Sequence, residues 1–577
     1  MHEIATETTL IVVIGIITVG LVAMFAKRIG IAAPLLLVVV GAGLSLVPAI
    51  PSVVISPDII LTVILPPLLY TAALSVPAVE FRRNLRVILL LSVVLVVVSA
   101  FAVAAVVNLI WPAVGFAICL ALGAVVAPPD AVAATSIAKR LGLPPRLVTI
   151  LEGEGLVNDA TALVLLSTAI AAATASGEAS GGEALGAFAY SVAVAALIGY
   201  VVARLILIVR SRIADGTLDI AVSLTAPFLA FLPAEEANAS GVIAVVVAGI
   251  FVGNRGQSRI LAARRLAERN TWQAFTFIVE NGVFLLMGMQ LPVVVMAVSS
   301  SDPGALATIG VALLICVLLV AVRYAMLPIL FFVLRRSLQK LERQTDRAEK
   351  FSPIVEQRLA EDERLRSRVG SFRRRLELSQ NDLTALRDQK LGMRDGIALG
   401  WAGMRGVVTV AAVQTLPRDH DMYPQLVLVG FAIAVVTLLV QGGTLPLLIK
   451  LLGIQRDSRA EEANEVAVLM RQNSDIGRKT IADLGAAQGV DEALIARAQQ
   501  GEATSANWME LVASSDPEDE NSDAAVIRRL RIAAVDAKRA ELAHHRGLGG
   551  FSSEAIAAAQ HALDSEEIAI RAEFNED

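Results

Sequence analysis

The sequence predicts an all-α polytopic membrane protein with a soluble helical C-terminal tail, and two observations support this prediction. Of the 577 residues, 55% are hydrophobic and only 18% are charged, a composition more apolar than that of soluble domains. The apolar residues gather in about thirteen runs, most of them close to the twenty residues that a helix needs to cross the hydrocarbon core of a bilayer. The runs lie at 9–26, 31–50, 57–74, 87–108, 113–136, 147–172, 188–209, 219–233, 239–253, 272–292, 304–334, 396–415 and 422–452.

The charges of the connecting loops indicate the orientation of the chain. Cationic side chains occupy alternate loops, and the loops between them carry almost none except Arg418. By the positive-inside rule the cationic loops lie in the cytoplasm, which places the N-terminus outside and the C-terminus inside. That orientation requires an odd number of spans. The cationic loops contain Lys27 and Arg28, Arg82 to Arg86, Lys139 to Arg146, Arg210 and Arg212, Arg255 to Arg269, and Arg335 and Arg336.

The sequence predicts two domains, a transmembrane domain and a soluble tail. Residues 1–455 form the predicted transmembrane domain, which contains a charged insertion at about 337–395 that we expect to form one or two cytoplasmic helices. Residues 456–577 form an Ala- and Glu-rich cytoplasmic tail with predicted helices at 459–472, 475–485 and 523–547. The tail contains no nucleotide-binding loop or catalytic motif, so we expect a regulatory role for it.

Several classes of function are disfavoured by composition. The net charge of −5 gives no reason to expect nucleic acid as a partner. Cys119 and Cys316 both lie in apolar runs, where they are expected to be small core residues and not a disulfide or a metal site. None of the five histidines lies in the middle of a predicted span. A histidine proton relay, a membrane-buried zinc site and a serine–histidine triad are therefore not expected.

The most informative stretch runs from Ala127 to Ala162 and places carboxylates between apolar runs. It contains Asp130, Glu152, Glu154 and Asp159. A carboxylate at the centre of a lipid-facing helix costs about 2.5–3.5 kcal/mol on insertion scales. A bound cation, a proton or an arginine partner must offset that cost, whereas the alternative is a pair of cytoplasmic loops with solvated acids.

Asp130 follows two consecutive prolines, Pro128 and Pro129, in the middle of the fifth run. Proline has no amide hydrogen and disfavours helix in the preceding residue, so the helix is expected to break there. Broken helices expose backbone carbonyls and half-helix ends, and they form ion sites near the midplane of transporters.

The sixth run carries polar residues on one face. Glu154, Asn158 and Thr161 are spaced i, i+4 and i+7, and Asp159 lies just beside that stripe. Asp159 could therefore face Asp130 and form with it an oxygen site for a small cation. An aspartate in that position could also carry a proton.

Two arginines lie within apolar runs, Arg323 in the eleventh and Arg405 between Gly403 and Gly406 in the twelfth. Either could pair with Glu154, and the glycines around Arg405 predict a second broken helix. The alternative for each is an arginine whose charge reaches the membrane surface. Glu280 is a further mid-span acid, which a structural hydrogen-bond network explains as well as a transport pathway does.

The string EGEGLVNDATA (152–162) resembles the sixth helix of the monovalent cation:proton antiporter family, in its sodium/proton exchanger branch. Asp130 after the prolines, Arg323 and the GMRG stretch around Arg405 resemble other signature positions, and the similarity spans about 9–452. The resemblance implies an inverted-repeat antiporter fold of thirteen helices, two of them broken. It also implies a homodimer in the cell membrane, alternating access of the elevator type, and no cofactor.

The resemblance implies a secondary transporter and not an enzyme. Na+, or Li+ or K+, would exchange one for one with H+ at Asp159, supported by Asn158 and Asp130, while Glu154 pairs with Arg323. Exchange is expected to be electroneutral because Asn and not Asp stands at the first position of the pair.

The sequence departs from the family pattern at three positions, which bear on the choice of ion. Gly155 stands where many members have a serine, and Pro129 stands where a threonine is common, although its carbonyl could still coordinate. Thr71 replaces a glutamate that faces the GMRG arginine, so Arg405 is expected to have another partner. The alternatives are a channel or carrier for another monovalent ion such as K+, and a membrane-embedded enzyme or sensor that acts through the tail.

Overall fold

A computed structural model of the protein is helical, with no strand in the residues that it describes. These residues are 2–29, 32–47, 56–174, 181–213, 215–256, 262–299, 301–361, 366–454, 458–500 and 522–572. The chain divides into two units. The first comprises Met1–Asn254, Glu268–Ser337 and Gln389–Arg456, and the second comprises Arg255–Ala267, Leu338–Asp388 and Asp457–Asp577.

The helices are labelled in chain order. Those wholly or partly in the first unit are α1 (His2–Ile29), α2 (Ala33–Leu44), α3 (Pro57–Ser75), α4 (Ala78–Ile110), α5 (Phe116–Val126), α6 (Ala131–Arg140), α7 (Pro145–Thr174), α8 (Gly181–Arg210), α9 (Gly216–Glu236), α10 (Gly241–Arg255), α11 (Ala262–Ser299), α12 (Ala305–Ala325), α13 (Leu327–Glu361), α15 (Met393–Trp401), α16 (Val407–Val413) and α17 (Tyr423–Leu452). Those in the second unit are α14 (Arg366–Asp388), α18 (Ser458–Ala487), α19 (Glu492–Gln500), α20 (Asp523–Leu548) and α21 (Ser553–Ala572).

Eight helices among the described residues are long and apolar enough to cross a membrane: α3, α4, α7, α8, α9, α11, α12 with the start of α13, and α17. The helices α2, α5 and α10 are apolar but shorter. The predicted all-α polytopic fold is confirmed, whereas the number of thirteen spans stays a prediction. The helix α8 begins at Gly181, before the start of the predicted run 188–209, and residues 175–180 lie outside the described residues.

Two of the predicted spans are broken. The run 113–136 forms α5, which ends at Val126, and α6, which begins at Ala131. The run 396–415 likewise forms α15 and α16, with the backbone interrupted between Trp401 and Val407. The two breaks meet, because the amide of Asp130 donates a hydrogen bond of 2.6 Å to the carbonyl of Met404.

Three of the long helices contain a turn with π-helical hydrogen bonding. These turns lie at Ile60–Ile64 in α3, at Leu90–Val94 in α4 and at Leu438–Gly442 in α17. A π turn inserts an extra residue into the helix, so it rotates the side chains that follow it and occurs often at functional sites.

Two large apolar cores lie within the described residues of the first unit, beside a small cluster of Val96, Ala100, Ala127 and Ala162, and α7 contributes to both large cores. Leu147, Leu151 and Leu166 pack in a core with α4, α5, α12 and α17. Leu156 and Ala160 pack in a second core with α3, α8, α9 and α10. The middle of α7, which carries the polar residues singled out above, therefore lies between the two cores.

The second unit contains small apolar cores formed by the tail helices. One joins α18, α19 and α20 through Ile481, Ala498 and Leu530, and another joins α18, α20 and α21 through residues that include Leu469 and Leu542. The predicted tail helices 459–472 and 475–485 are one continuous helix, and the predicted helix 523–547 is α20. The helices α19 and α21 were not predicted.

The described residues of the charged insertion at 337–395 are mostly helical. It contains the continuation of α13 to Glu361 and the whole of α14. A hydrogen bond of 3.1 Å from the side-chain amide of Asn381 to the carbonyl of Leu548 joins α14 to α20. The insertion and the tail therefore belong to the same unit.

Candidate ion site at the two helix breaks

Glu154 on α7 and Arg323 on α12 form a buried bidentate ion pair. The two guanidinium nitrogens donate to the two carboxylate oxygens at 2.6 and 2.8 Å, and the residues are 1% and 4% exposed. Arg323 Nε also donates to the carbonyl of Leu399, at 3.1 Å. The pairing leaves no net charge on these two residues, which lowers the cost of burying them.

A glycine makes room for this arginine. A Cβ atom at Gly403 would lie 2.9 Å from Cδ and 3.0 Å from Nε of Arg323, closer than side chains pack. The first glycine of the GMRG stretch is therefore explained by the passage of Arg323 towards Glu154.

Arg405, 2% exposed, binds backbone carbonyls at the end of α5. Its Nε and Nη2 donate to the carbonyls of Val126 and Ala127, at 3.0 and 3.2 Å, and Nη1 donates to the carbonyl of Gly403. Carbonyls at a helix C-terminus lack partners within the helix, and they carry partial negative charge. Arg405 thus caps the half-helix α5 across the two breaks.

The prolines explain why α5 needs this cap. Pro128 and Pro129 have no amide hydrogen to offer the last turn, and the amide of Asp130 is used by Met404 in the second break. The alternative in which Arg405 pairs with Glu154 is therefore not what the structure shows. The hydrogen bonds of Thr71 are to other groups: its hydroxyl donates to the carbonyl of Leu68 at 2.8 Å and accepts from the hydroxyl of Thr276 at 3.4 Å.

Asn158 joins α7 to the first break and has an unused acceptor. Its side-chain amide donates a hydrogen bond of 2.7 Å to the carbonyl of Pro129. The residue is fully buried, and its Oδ1 atom has no hydrogen-bond partner among the described residues. Buried polar atoms are normally paired with protein or water, so this oxygen is available to a ligand.

Asp159 is half-buried on α7, next to Asn158. It lies close enough to Asp130 that the two carboxylates would repel each other when both are ionised, and Glu280 on α11 has the same relation to Asp130. Asp130 itself lies against Gly406, where a Cβ atom would overlap its carboxyl group. Gly406 precedes α16, and a carboxylate at a helix N-terminus is stabilised by the helix dipole.

The breaks therefore bring most of the predicted site residues together. Asn158 contacts Pro129, Glu154 pairs with Arg323, and Asp130 and Arg405 each bond to the opposite break. Glu152 lies elsewhere, since it is partly exposed and forms an ion pair of 2.6 Å with Lys139.

Sequence reasoning missed one buried charged network. Arg210 on α8 donates to both carboxylate oxygens of Asp219, at 2.7 and 2.9 Å, and to both of Glu268, at 2.9 and 2.7 Å. The loop-charge pattern counts Arg210 as a loop cation, yet it is 3% exposed. Its position at the end of an apolar run and shortly before Asp219 was the only signal, and such spacing is common in solvated loops.

A second missed residue is Thr437 on α17. Its hydroxyl oxygen accepts the backbone amide hydrogen of Arg405 at 2.9 Å, which fixes the second break to α17. A threonine in an apolar run carries no distinguishing signal, because its hydroxyl can bond to its own helix.

Comparison with known proteins shows which family the chain matches. Residues 13–451 match the transmembrane model of the sodium/hydrogen exchanger family. An uncharacterized Na+/H+ exchanger of Mycobacterium tuberculosis is 27% identical over 576 residues, which cover 97% of this chain and 95% of that one. The Na+/H+ antiporter ApNhaP of Aphanothece halophytica is 27% identical over 80% of this chain and 77% of its own length.

The fold is also similar to a solved structure. The sodium proton antiporter MjNhaP1 of Methanocaldococcus jannaschii superposes with a TM-score of 0.54 at 14% identity, covering 78% of this chain and all of that one. The match of the family model over most of the chain, with the apolar helices and the paired breaks, identifies this protein as a multi-pass membrane protein that belongs to the sodium/hydrogen exchanger family.

Proposed function

We propose that the protein exchanges Na+ for H+ across the cell membrane and that Asp159 binds the two ions in turn. The observation that carries the proposal is the unpartnered Oδ1 atom of Asn158, the residue that precedes Asp159 on α7. Carboxylate and carbonyl oxygens are the ligands that hard cations prefer. Asp159, Asp130, Asn158 and the carbonyl of Pro129 together offer such oxygens between α7 and the first break.

The ion pair of Glu154 and Arg323 supports a site with one titrating group. Glu154 lies on α7 near Asp159, and its charge is balanced by Arg323, so it need not take up the transported cation or proton. Asp159 would then hold either one proton or one cation. Exchange at one carboxylate predicts one H+ per Na+ and no net charge movement.

The two cores suggest how the site reaches both sides of the membrane. Both breaks and α12 belong to the first core, whereas α7 lies between the first core and the second. We propose that the first core carries the site past the second during alternating access. Cation binding offsets the repulsion between Asp130 and Asp159, so that loaded and protonated sites move and an empty one does not.

Orientation and assembly follow as part of the proposal. The alternating cationic loops favour an outer N-terminus and a cytoplasmic C-terminus. We propose that the protein forms a homodimer. We also propose a regulatory role for the tail, since the tail and the insertion form a separate helical unit.

The experiment is a flux assay with purified protein in proteoliposomes under an inside-acid pH gradient. A pH dye reports dissipation of the gradient after addition of Na+, Li+, K+ or choline, which also tests the alternative of a carrier for K+. We expect Na+ to dissipate the gradient with wild-type protein and with Glu152→Gln, a control on the same helix, and not with Asp159→Asn. Exchange by Asp159→Asn at the wild-type rate would exclude Asp159 as the shared site.

Wild-type protein that responds to no cation would contradict the exchange itself. A cation flux that depends on the membrane potential and persists without a proton gradient would indicate a channel. Valinomycin with K+ clamps the potential, so electroneutral exchange should keep its rate when the potential is changed.

A further inference from the structure

Gln441 lies in the π turn Leu438–Gly442 of α17, one helical turn after Thr437. It is 3% exposed, and neither its Oε1 nor its Nε2 atom has a hydrogen-bond partner among the described residues. A whole carboxamide without a partner is unusual in a protein interior, because burial without hydrogen bonds removes it from water with no compensation.

The turn that holds Gln441 adjoins the second helix break. Thr437 accepts the amide hydrogen of Arg405, and a Cβ atom at Gly442 would lie 3.4 Å from the sulfur of Met404. Met404 in turn accepts the amide hydrogen of Asp130. The π turn also packs against α6, the helix that follows Asp130.

Buried side-chain atoms without a partner are few in the described part of the first unit. The residues that carry them are Tyr70, Asn158, Gln425 and Gln441. Asn158 lies on α7 and bonds to the first break, and Gln441 lies in the part of α17 that adjoins the second break, whereas Gln425 lies at the other end of α17. Buried polar groups that lack protein partners are commonly satisfied by bound water.

We propose that Gln441 is a further ligand of the transported monovalent cation, in addition to the oxygens around Asp159, and that its Oε1 atom binds the cation directly or through one water molecule. The inference rests on the proposed function. In the orientation proposed above, Gln441 follows Thr437 towards the cytoplasmic end of α17, so it receives the cation between the cytoplasm and Asp159. A neutral carboxamide binds a partly dehydrated cation without competing for the proton, and it therefore affects cation affinity without changing the number of protons exchanged.

The π turn brings the residue after Gln441 close to the second break. An extra residue in such a turn rotates the side chains that follow it relative to a regular helix. A Cβ atom at Gly442 would lie 3.4 Å from the sulfur of Met404 and 3.4 Å from Cδ2 of Leu35.

The test compares Gln441→Leu with Gln425→Leu, a matched control on the same helix. Gln425 is also 3% exposed, but its Nε2 donates to Ser301 Oγ at 3.2 Å and it lies at the opposite end of α17. Initial exchange rates in proteoliposomes are measured against Na+ concentration, and melting temperatures are measured in Na+ and in choline. We expect Gln441→Leu to raise the KM for Na+ at least about tenfold, equivalent to about 1.4 kcal/mol, and to reduce the Na+-dependent rise in Tm. Gln425→Leu should change neither.

A different outcome for Gln441→Leu would overturn the proposal. If Gln441→Leu melts at a higher temperature than the wild type and keeps the same KM for Na+, the amide is a dry structural group and the proposal is wrong. Should Gln441→Leu fail to fold, Gln441→Glu is the second variant, expected to lower the KM for Na+ and to change the Na+/K+ preference. Unchanged values for it would overturn the proposal. Failure of the exchange proposal is separate, since wild-type protein itself would then show no Na+-dependent flux.

Discussion

The carboxylate of Glu154 and the guanidinium of Arg323 face each other through two hydrogen bonds of 2.6 and 2.8 Å, and both groups are buried. Breaking such a pair from one side leaves a buried charge without its counter-charge, which typically costs about 3–5 kcal/mol. Replacing both partners with apolar residues is often far less harmful.

Glu154→Ala is therefore expected to destabilise the protein more than it inactivates the molecules that still fold. Thermal unfolding in detergent should show a clear drop in melting temperature, and the double variant Glu154→Leu with Arg323→Met should recover most of it. An unchanged melting temperature in the single variant would mean that the pair contributes little to the fold.

Asn158→Leu is expected to weaken cation binding because it removes both the unused Oδ1 atom and the bond to the Pro129 carbonyl. We expect the KM for Na+ to rise about tenfold or more, corresponding to about 1.4 kcal/mol or more. Thr161→Val is the control, since its hydroxyl donates only to the carbonyl of Val157 on the same helix, at 3.2 Å. Equal KM values for the two variants would remove Asn158 from the site.

Gly406→Ala is expected to reduce the exchange rate at least about tenfold, a barrier change of about 1.4 kcal/mol. The reason is steric, because the added methyl group would overlap the carboxyl group of Asp130. Gly443→Ala is the matched control, with nothing within 4 Å of its added Cβ, and glycine-to-alanine changes in helices stabilise by about 0.5–1 kcal/mol. Flux and melting temperature measured on both variants separate a displaced Asp130 from general unfolding. Full activity in Gly406→Ala would show that Asp130 can move without consequence.

Both helix breaks could be predicted from the sequence because their causes are local. Two prolines before Asp130 and two glycines around Arg405 change the backbone of their own segment, so spacing and residue type were sufficient. The stripe of Glu154 and Asn158 on one face of α7 also depends only on helical periodicity.

The partners of the two arginines could not be predicted, because they depend on which helices meet in space. From the residues alone, Arg323 and Arg405 were equal candidates for Glu154, and only the resemblance to the family favoured Arg323. The structure pairs Arg323 with Glu154 because α12, which carries Arg323, lies against α7 and α15. The carbonyls that Arg405 binds belong to the backbone, which has no signature in side-chain composition. Arg210 was misjudged for the same reason, since the loop-charge rule counts cations without knowing whether a neighbouring helix covers them.

Backbone hydrogen bonds and the Arg405 side chain connect the two breaks at several points. The amide of Asp130 is held by Met404, and the carbonyls of Val126 and Ala127 are held by Arg405. Neither segment can unwind further without freeing polar groups of the other, so local unfolding of the two is cooperative. In hydrogen–deuterium exchange they would behave as a single foldon, although more than 270 residues of chain separate Ala127 from Arg405.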